Sequence, residues 1–256
     1  MTVQFERQDG VAIVTLDRPE TKNAITQEMR RQLWEAFEEI ALDADIRSVV
    51  LTGAGGEFCS GVDVGGMGRG GVVGSMDRMH TIGRIARAIY HLNKPVIAAV
   101  PGVCVGVGWS LAMCCDFLLA SEKARFALIF RNIALAPDGG ALWLLRQQIG
   151  AMRTKELAYS GRMVHAPEMQ ELGLALEVLP PEALLDRALE LARSFAGAPT
   201  VALGLAKRQV EAAATNSFDQ QIELESLMQP IASRTEDHEE GLKAFRERRK
   251  PAFKGA

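Results

Sequence analysis

Two short, largely apolar runs, each closed by glycine or proline, constrain the fold of this chain more than any other feature. Ser48–Thr52 ends in Gly53-Ala54-Gly55-Gly56, and Pro95–Val100 ends in Pro101-Gly102. Short apolar runs bounded by such turn residues are typical of buried strands. A stretch with helical spacing, from about Ser75 to His91, lies between them, so strand and helix alternate and the sequence predicts an α/β fold.

The beginning of the chain predicts a hairpin followed by a helix. Val3–Glu6 and Val11–Leu16 are β-prone runs separated by Asp9-Gly10, a turn pair typical of hairpins. Thr26 is a suitable N-cap for a helix from Gln27 to about Leu42, because hydroxyl side chains accept hydrogen bonds from the first free N–H groups. Apolar residues follow at helical spacing in this stretch: Met29, Leu33, Phe37 and Ile40.

The rest of the chain continues this alternation and then becomes helical. A glycine-rich stretch from Gly65 to Gly74 precedes the Ser75–His91 helix. The elements predicted after it are a helix that ends near Cys115, strands at Asp116–Ala120 and Ala124–Leu128, a helical pattern from Gly140 almost to the end, and a last helix from about Thr235 to Arg249. No solenoid repeat interrupts this order. We therefore expect an α/β protein with a helical C-terminal part.

Composition and charge exclude several classes of protein. The chain has 256 residues, of which 48% are hydrophobic and 24% charged, as in an ordinary globular protein of one or two domains. A formal net charge of -3 supplies no basic field for nucleic acid. The first residues lack the apolar core of a signal peptide, and no apolar run reaches the ~20 residues of a membrane span. We expect a soluble, cytoplasmic protein.

The four cysteines and four histidines do not suggest a disulfide framework or a metal site. No Cys-x-x-Cys pair is present, and the histidines lie too far apart in sequence for metal-ligand spacing. Three cysteines fall in apolar stretches, and neighbours such as Cys114 and Cys115 rarely bridge each other. We predict buried free thiols in a reducing compartment.

Two glycine-containing turns are the strongest candidates for chemistry. Val103–Gly108 is not a G-x-G-x-x-G motif, and Gly53–Gly56 lacks the Gly-Lys-Ser/Thr ending of a P-loop, so neither predicts a nucleotide site. Tight turns such as Phe58–Asp63 and Gly102–Gly108 can also expose backbone N–H groups. Two of these aimed at one carbonyl oxygen would form an oxyanion site. From the residues alone, both remain equally well explained as ordinary tight turns.

Motifs along nearly the whole chain resemble the crotonase (enoyl-CoA hydratase/isomerase) superfamily. The resemblance rests on the order and spacing of several segments: Leu16-Asp17-Arg18-Pro19, Asn23-Ala24, Phe58–Asp63, Lys94–Gly102, Leu111–Asp116, Ser160-Gly161-Arg162 and the tail from Phe245 to Lys254. It implies a spiral of β-β-α units in residues 1–197 and a helical C-terminal region in residues 198–256. It also implies a homotrimer, or a hexamer made of two trimers.

The same resemblance implies an acyl-coenzyme A thioester substrate and no prosthetic group, with coenzyme A (CoA) as part of the substrate. The backbone N–H groups of Val62 and Val107 match the two oxyanion donors. The residues implied to hold CoA are Lys22, Ala24, Ser60, Val62, Asp63 and Val64, with Phe245 and Arg248 completing the nucleotide pocket, often from a neighbouring subunit. Asp63 is expected to fix its loop by hydrogen bonding.

Two positions argue against hydration of a double bond. Hydratases of this family use two glutamates to place and activate water, and the matching residues here are Ser110 and Phe130. Neither side chain can serve as a general acid or base at neutral pH. Together with Trp109, Phe130 is expected to form an apolar wall around the acyl group.

Asp138 is a carboxylate that is available for acid–base catalysis. The residues alone favour a role as cap of the following helix, which suits aspartate. Ile133–Gly140 resembles family members that shift double bonds, in which an acid near this position moves one proton between the α- and γ-carbons. We therefore predict an enoyl-CoA isomerase with Asp138 as proton shuttle. A divergent hydratase and a catalytically silent acyl-CoA-binding protein are the alternatives.

Overall fold

A computed structural model of the chain describes residues 1–66 and 71–256 and shows the predicted α/β fold. In these ranges the strands are β1 (Val3–Gln8), β2 (Val11–Leu16), β3 (Ser48–Gly53), β4 (Val96–Val100), β5 (Val103–Val105), β6 (Phe117–Ser121), β7 (Arg125–Ala127), β8 (Val164–His165) and β9 (Glu177–Leu179). The helices are α1 (Gln27–Leu42), α2 (Gly71–Tyr90), α3 (Val107–Met113), α4 (Ala141–Ser160), α5 (Ala166–Glu171), α6 (Leu184–Ala196), α7 (Thr200–Ala213), α8 (Phe218–Ala232) and α9 (Glu236–Glu247).

The N-terminal hairpin and first helix form as predicted. Asp9 and Gly10 both adopt positive φ, 51° and 76°, and the turn pairs Gln8 with Val11 in an antiparallel ladder. Helix α1 begins after Thr26, whose hydroxyl accepts a 3.1 Å hydrogen bond from the N–H of Met29. Local chemistry therefore determines both elements.

A larger sheet with the strand order β1-β2-β3-β4-β6-β9 runs through the described residues, and from β2 onward its strands are parallel. Its strands β3 and β4 are buried along almost their whole length because helices cover both faces. Val49 and Leu51 pack in one cluster with α1 and α2, while Val50 packs against α6 on the opposite face. A smaller sheet in the same ranges has the order β5-β7-β8.

The sequence did not predict strands β5, β8 and β9, because each is only two or three residues long. β5 follows the turn at Gly102, and β8 and β9 interrupt a region that the sequence predicted to be helical. Their pairing partners are distant in sequence: β9 lies parallel to β6, with Leu119 opposite Glu177. Such short pairings depend on tertiary context and leave little periodicity to detect.

The glycine-rich stretch is partly helical. Helix α2 begins at Gly71, earlier than the predicted Ser75, and Val64–Gly66 forms a short 3-10 turn. Residues 67–70 of this predicted stretch lie outside the described residues. The other predicted bounds agree within a few residues, including the last helix, for which Thr235 is the N-cap.

Helices α7, α8 and α9 follow residue 198, and the final residues fold back against α9. Asp237 accepts hydrogen bonds from the N–H groups of Lys254 and Gly255, at 2.6 and 2.8 Å. The division at residues 197 and 198 stays a prediction. All four cysteines are free, as predicted. None of the helices in the described ranges combines the length and apolar character needed to span a bilayer.

Candidate active site

The two glycine-containing turns of the sequence lie side by side. The N–H of Cys59 donates to the carbonyl of Val103 at 2.8 Å, and the N–H of Val105 donates to the carbonyl of Cys59 at 2.9 Å. These bonds make the segment after β3 run parallel to β5, with Cys59 opposite Cys104. Both chain segments then turn at a glycine, immediately before Val62 and Val107.

Glycine is required where the turns meet. Gly61 and Gly106 adopt positive φ values of 103° and 56°, which side chains disfavour. A Cβ added to Gly106 would lie 3.6 Å from the Cα of Gly61. A Cβ added to Gly108 would lie 2.6 Å from the Cβ of Cys59, closer than real Cβ contacts. The glycines therefore set how closely the two turns approach each other.

This arrangement gives the N–H groups of Val62 and Val107 no acceptor among the described residues. Around Val62, the N–H of Ile25 donates to Gly61 and the N–H of Asp63 donates to Ile25, at 2.8 and 3.0 Å. Val107 is the first residue of α3, where helical N–H groups have no partner within the helix. Within residues 1–66 and 71–256, no protein acceptor pairs with either N–H.

One cavity contains both valines and Asp138. It has a volume of about 530 Å³ and is called here the central cavity. Most of its wall is apolar and comes from the loop before α2, from α2 itself and from the segment 129–138. Its lining includes Arg30, Ser60, Gly61, Val62, Val64, Ser75, Arg78, Met79, Ile82, Gly106, Val107, Ile129, Phe130, Asn132, Ile133, Leu135, Ala136 and Asp138.

Asp138 is held in an environment that disfavours its charge. Its Oδ1 is buried and has no hydrogen-bond partner in the described part of the chain. Burial raises the pKa of this carboxyl to about 6, and a hydrogen bond from its own backbone N–H acts in the opposite direction. The N-cap of α4 is Gly140, without a side-chain cap. Asp138 is therefore not the helix cap that the sequence also allowed.

Ser110 and Phe130, which the family resemblance matches to the hydratase glutamates, both lack a carboxylate and are buried. Ser110 is inaccessible to solvent, its hydroxyl donates to the carbonyl of Gly106 at 3.3 Å, and Gly139 packs against it. Phe130 lines the central cavity as expected. Trp109 does not: it is fully buried and packs against Phe126 with ring centroids 5.7 Å apart. The prediction that Trp109 forms part of the acyl wall was wrong, because its position in α3 faces the core.

The segment expected to hold CoA runs alongside the first turn. The N–H of Ser60 donates to the carbonyl of Lys22 at 2.9 Å, and the Ser60 hydroxyl donates to the carbonyl of Thr21 at 2.8 Å. Lys22 reaches Glu57 with its Nζ 3.1 Å from Oε1. Ala24, two residues after Lys22, is buried. Lys22, Ala24, Ser60 and Val62 are thus brought together, although they come from two distant segments.

Asp63 and Val64 continue the same edge. Asp63 accepts a 3.0 Å hydrogen bond from the N–H of Gly65 and forms an ion pair with Arg18 at 3.1 Å. The bond from Gly65, and then Arg18, hold the pKa of the Asp63 carboxyl below its usual range. These contacts fix the loop. Val64 is largely exposed beside it and lines the central cavity.

Phe245 and Arg248 lie elsewhere in this chain. Phe245 is 85% exposed near the end of α9, and Arg248 caps that helix with φ of 54°. Neither residue lines the central cavity. Their contribution to a CoA site of a neighbouring subunit stays a prediction.

Sequence reasoning missed Arg30 and the α2 residues of the cavity wall. Arg30 is 6% exposed although it is charged, and it lines the central cavity. Its position was visible in the sequence, because it lies three residues before Leu33 on the apolar face of α1. Met79 and Ile82 follow the α2 periodicity, which did not distinguish a cavity wall from the core.

The chain is similar to known proteins along nearly its whole length. The family model for enoyl-CoA hydratase/isomerase matches residues 6–256. The 1,2-epoxyphenylacetyl-CoA isomerase of Escherichia coli is 38% identical over 252 residues, covering 97% of this chain and 96% of that protein. A probable enoyl-CoA hydratase of Rhodobacter capsulatus is 34% identical over 259 residues, covering 99% and 98%.

A solved structure gives the same result at the level of the fold. The enoyl-CoA hydratase of Bacillus anthracis superposes with a TM-score of 0.95 at 30% sequence identity, covering 100% of both chains. The match extends over the whole chain in sequence and in structure. The chain therefore belongs to the enoyl-CoA hydratase/isomerase family, and its fold is that of the crotonase superfamily.

Proposed function

We propose that this protein is an enoyl-CoA isomerase in which Asp138 moves a proton between the α- and γ-carbons of the acyl group. The observation that carries the proposal is the central cavity, which brings the backbone at Val62 and Val107 together with the buried carboxylate of Asp138. No prosthetic group is needed, because CoA belongs to the substrate.

The proposed reaction has two proton transfers. The Asp138 carboxylate removes a proton from the α-carbon of a β,γ-unsaturated thioester, and the electron pair moves onto the thioester oxygen as a dienolate. The N–H groups of Val62 and Val107 stabilise that oxyanion by hydrogen bonds. The protonated Asp138 then returns the proton to the γ-carbon, and the double bond becomes conjugated with the carbonyl.

The pKa of Asp138 suits both steps. A carboxyl with a pKa of about 6 is mostly ionised at neutral pH, yet it is a stronger base than an ordinary aspartate. After it has accepted the proton, it can donate it again within the same site. One carboxyl group is sufficient because the reaction only moves a proton from the α-carbon to the γ-carbon.

Water addition has less support in this cavity. Ser110 is buried beneath Gly139, whose added Cβ would lie 2.8 Å from the Ser110 Cβ. Phe130 presents a ring where the second hydratase carboxylate is expected. The relatives include proteins named as hydratases and one named as an isomerase, and the isomerase is 38% identical. We favour isomerisation because Asp138 is the one carboxylate among the described residues that line the cavity.

The Asp138→Asn variant tests the proposal. Asparagine preserves the size of the side chain and removes its basicity. We expect the rate of converting a β,γ-enoyl-CoA to its conjugated isomer to fall at least about 1000-fold, in the upper range of general acid–base contributions. The appearance of the conjugated enoyl absorbance measures this rate, and calorimetry measures the affinity for a saturated acyl-CoA.

Asp219→Asn is the matched control, because Asp219 is exposed in the first turn of α8. It should isomerise the substrate like the unmodified protein. Affinity for the saturated thioester should be similar in all three proteins. Isomerisation at the normal rate by Asp138→Asn would exclude Asp138 as the proton shuttle.

A second assay compares the alternatives. Incubation with crotonyl-CoA reports hydration as loss of the conjugated absorbance, and deuterium incorporation at the α-carbon reports proton abstraction. Deuterium exchange with little hydration supports the isomerase. Efficient hydration would favour the divergent hydratase, whereas binding without exchange would favour the catalytically silent protein.

A further inference from the structure

Arg30 is buried beside the central cavity, and none of the described residues pairs with its charge. It is 6% exposed, and its Nε is buried without a hydrogen bond. In the described ranges, the side chain takes part in no ion pair, and no carboxylate is among the causes of its pKa shift. Buried guanidinium groups are normally paired, because an isolated buried charge is costly.

The charged group that shifts the pKa of Arg30 carries the same sign. Burial, and then the like charge of Arg78, lower the pKa of the Arg30 guanidinium. Arg78 lies on α2, and its Nη2 donates to the hydroxyl of Ser75 at 2.7 Å. Two cations from different helices are thus directed toward one region, where an anion would relieve both the desolvation of Arg30 and the repulsion between the two groups.

Both arginines line two adjoining spaces. One is the central cavity, which also contains Val62, Val107 and Asp138. The other is a polar cavity of about 480 Å³, which contains Arg30, Val62, Asp63, Asp77 and Arg78. Asp63 in that space is already paired with Arg18. The arginines therefore stand at the junction between the polar space and the space proposed for the acyl group.

We propose that Arg30, with Arg78, binds a carboxylate carried by the acyl group, so that the preferred substrate is an acyl-CoA with a second, anionic end. A guanidinium matches a carboxylate in geometry and charge, and can donate two parallel hydrogen bonds to it. This inference rests on the proposed function, because it places the acyl group in the central cavity. An apolar acyl chain would leave the Arg30 charge without compensation.

The test uses β,γ-unsaturated CoA thioesters of increasing chain length, each prepared with a methyl end and with a carboxylate end. At the chain length that fits, the unmodified protein should prefer the carboxylate form in kcat/KM. Arg30→Met should lower kcat/KM for that ester by about 10- to 100-fold, as for loss of a charged hydrogen bond. For the CoA thioester whose acyl chain ends in a methyl group, the change in kcat/KM should stay below about threefold. Arg30→Lys should restore part of the loss.

Arg31→Met is the matched control. Arg31 is the next residue of α1, but it is exposed and pairs with Glu28 and Glu35 on the surface. It should leave the preference between the two esters unchanged. Circular dichroism and thermal unfolding of each variant establish that it is folded. If Arg30→Met fails to fold, Arg30→Lys and Arg78→Met measured on the same ester pairs provide the test.

Three results would overturn the inference. Equal losses of kcat/KM on both thioesters would show that Arg30 binds a CoA phosphate, which both share, or that it only stabilises the fold. No loss on either would show that Arg30 contacts no ligand, and no preference for the carboxylate at any length would exclude the substrate class. Calorimetry with pairs of saturated thioesters tests this inference separately from the proposed isomerase activity. It measures whether binding prefers the carboxylate end, and whether that preference depends on Arg30, even if the protein catalyses no isomerisation.

Discussion

The environment of Asp138 separates its role from that of the other acidic residues near the site. Asp63 accepts hydrogen bonds from Gly65 and Arg18, so its pKa is lowered and its charge is fixed in the loop. Asp138 has a buried oxygen with no partner among the described residues, and burial raises its pKa. Desolvation favours the neutral form of a carboxyl, whereas hydrogen bonds to it favour the charged form. The first environment suits a structural residue and the second suits a proton carrier.

A pH dependence follows from this shift. The free enzyme needs Asp138 ionised to accept a proton, so activity is present above the folded-state pKa and is lost as pH falls through it. We expect kcat/KM for a β,γ-enoyl-CoA to level off above a pH of about 6 and to fall about tenfold per pH unit below it. Initial rates between pH 4.5 and 8.5 measure the profile. A midpoint near the ordinary aspartate value would contradict the assignment of this base.

At the scale of elements, the site depends on two turns that are locked together rather than on one motif. The segment at Cys59 pairs with β5, and Gly108 in α3 approaches it closely. A shift of either turn would change the angle between the N–H groups of Val62 and Val107. Oxyanion stabilisation depends strongly on such positioning.

Gly108→Ala tests this dependence. Alanine favours a helix by about 1 kcal/mol over glycine, but its Cβ would lie 2.6 Å from the Cβ of Cys59. Because overpacking typically costs about 1 to 3 kcal/mol, we expect a net loss of stability and a fall in kcat of about tenfold or more. Chemical denaturation and initial rates measure the two effects.

Gly197→Ala is the control for that substitution. Gly197 has an ordinary φ of -83°, and an added Cβ would lie no closer than 3.6 Å to its neighbours. Its unfolding free energy and kcat should remain close to those of the unmodified protein. Normal kcat in a folded Gly108→Ala variant would show that the spacing of the turns is not critical.

At the scale of the whole molecule, the helical C-terminal region presents apolar side chains to solvent. Phe218 and Leu227 of α8 are 79% and 62% exposed, and Phe245 of α9 is 85% exposed. Where such side chains form a contiguous patch, the patch is typical of a protein–protein interface. This distribution supports the proposal of a trimer or hexamer in which Phe245 and Arg248 complete a neighbouring CoA pocket.

The oligomer can be tested directly. We expect light scattering coupled to size-exclusion chromatography to give the mass of three or six chains. Phe245→Ala should weaken binding of an acyl-CoA by about tenfold, through loss of aromatic contact with the nucleotide, without changing kcat at saturation. A monomeric mass, or unchanged affinity in the variant, would contradict this part of the proposal.

The sequence by itself determined the elements whose information is local. The hairpin at Asp9-Gly10 and helix α1 were predicted to within two residues of their observed bounds, because turn chemistry, the Thr26 cap and apolar spacing act over a few residues. The family was also visible, since its motifs extend along the chain. Strands β5, β8 and β9 were not, because each is short and depends on a distant partner.

Only the tertiary structure decided how the candidate residues relate to one another. Sequence left Asp138 between a helix cap and a catalytic acid, and the fold shows its oxygen buried without a partner at the wall of a cavity. The tertiary structure also places Trp109 in the core and Arg30 beside the site. Desolvation and charge pairing arise from groups that are distant in sequence, so no local pattern specifies them.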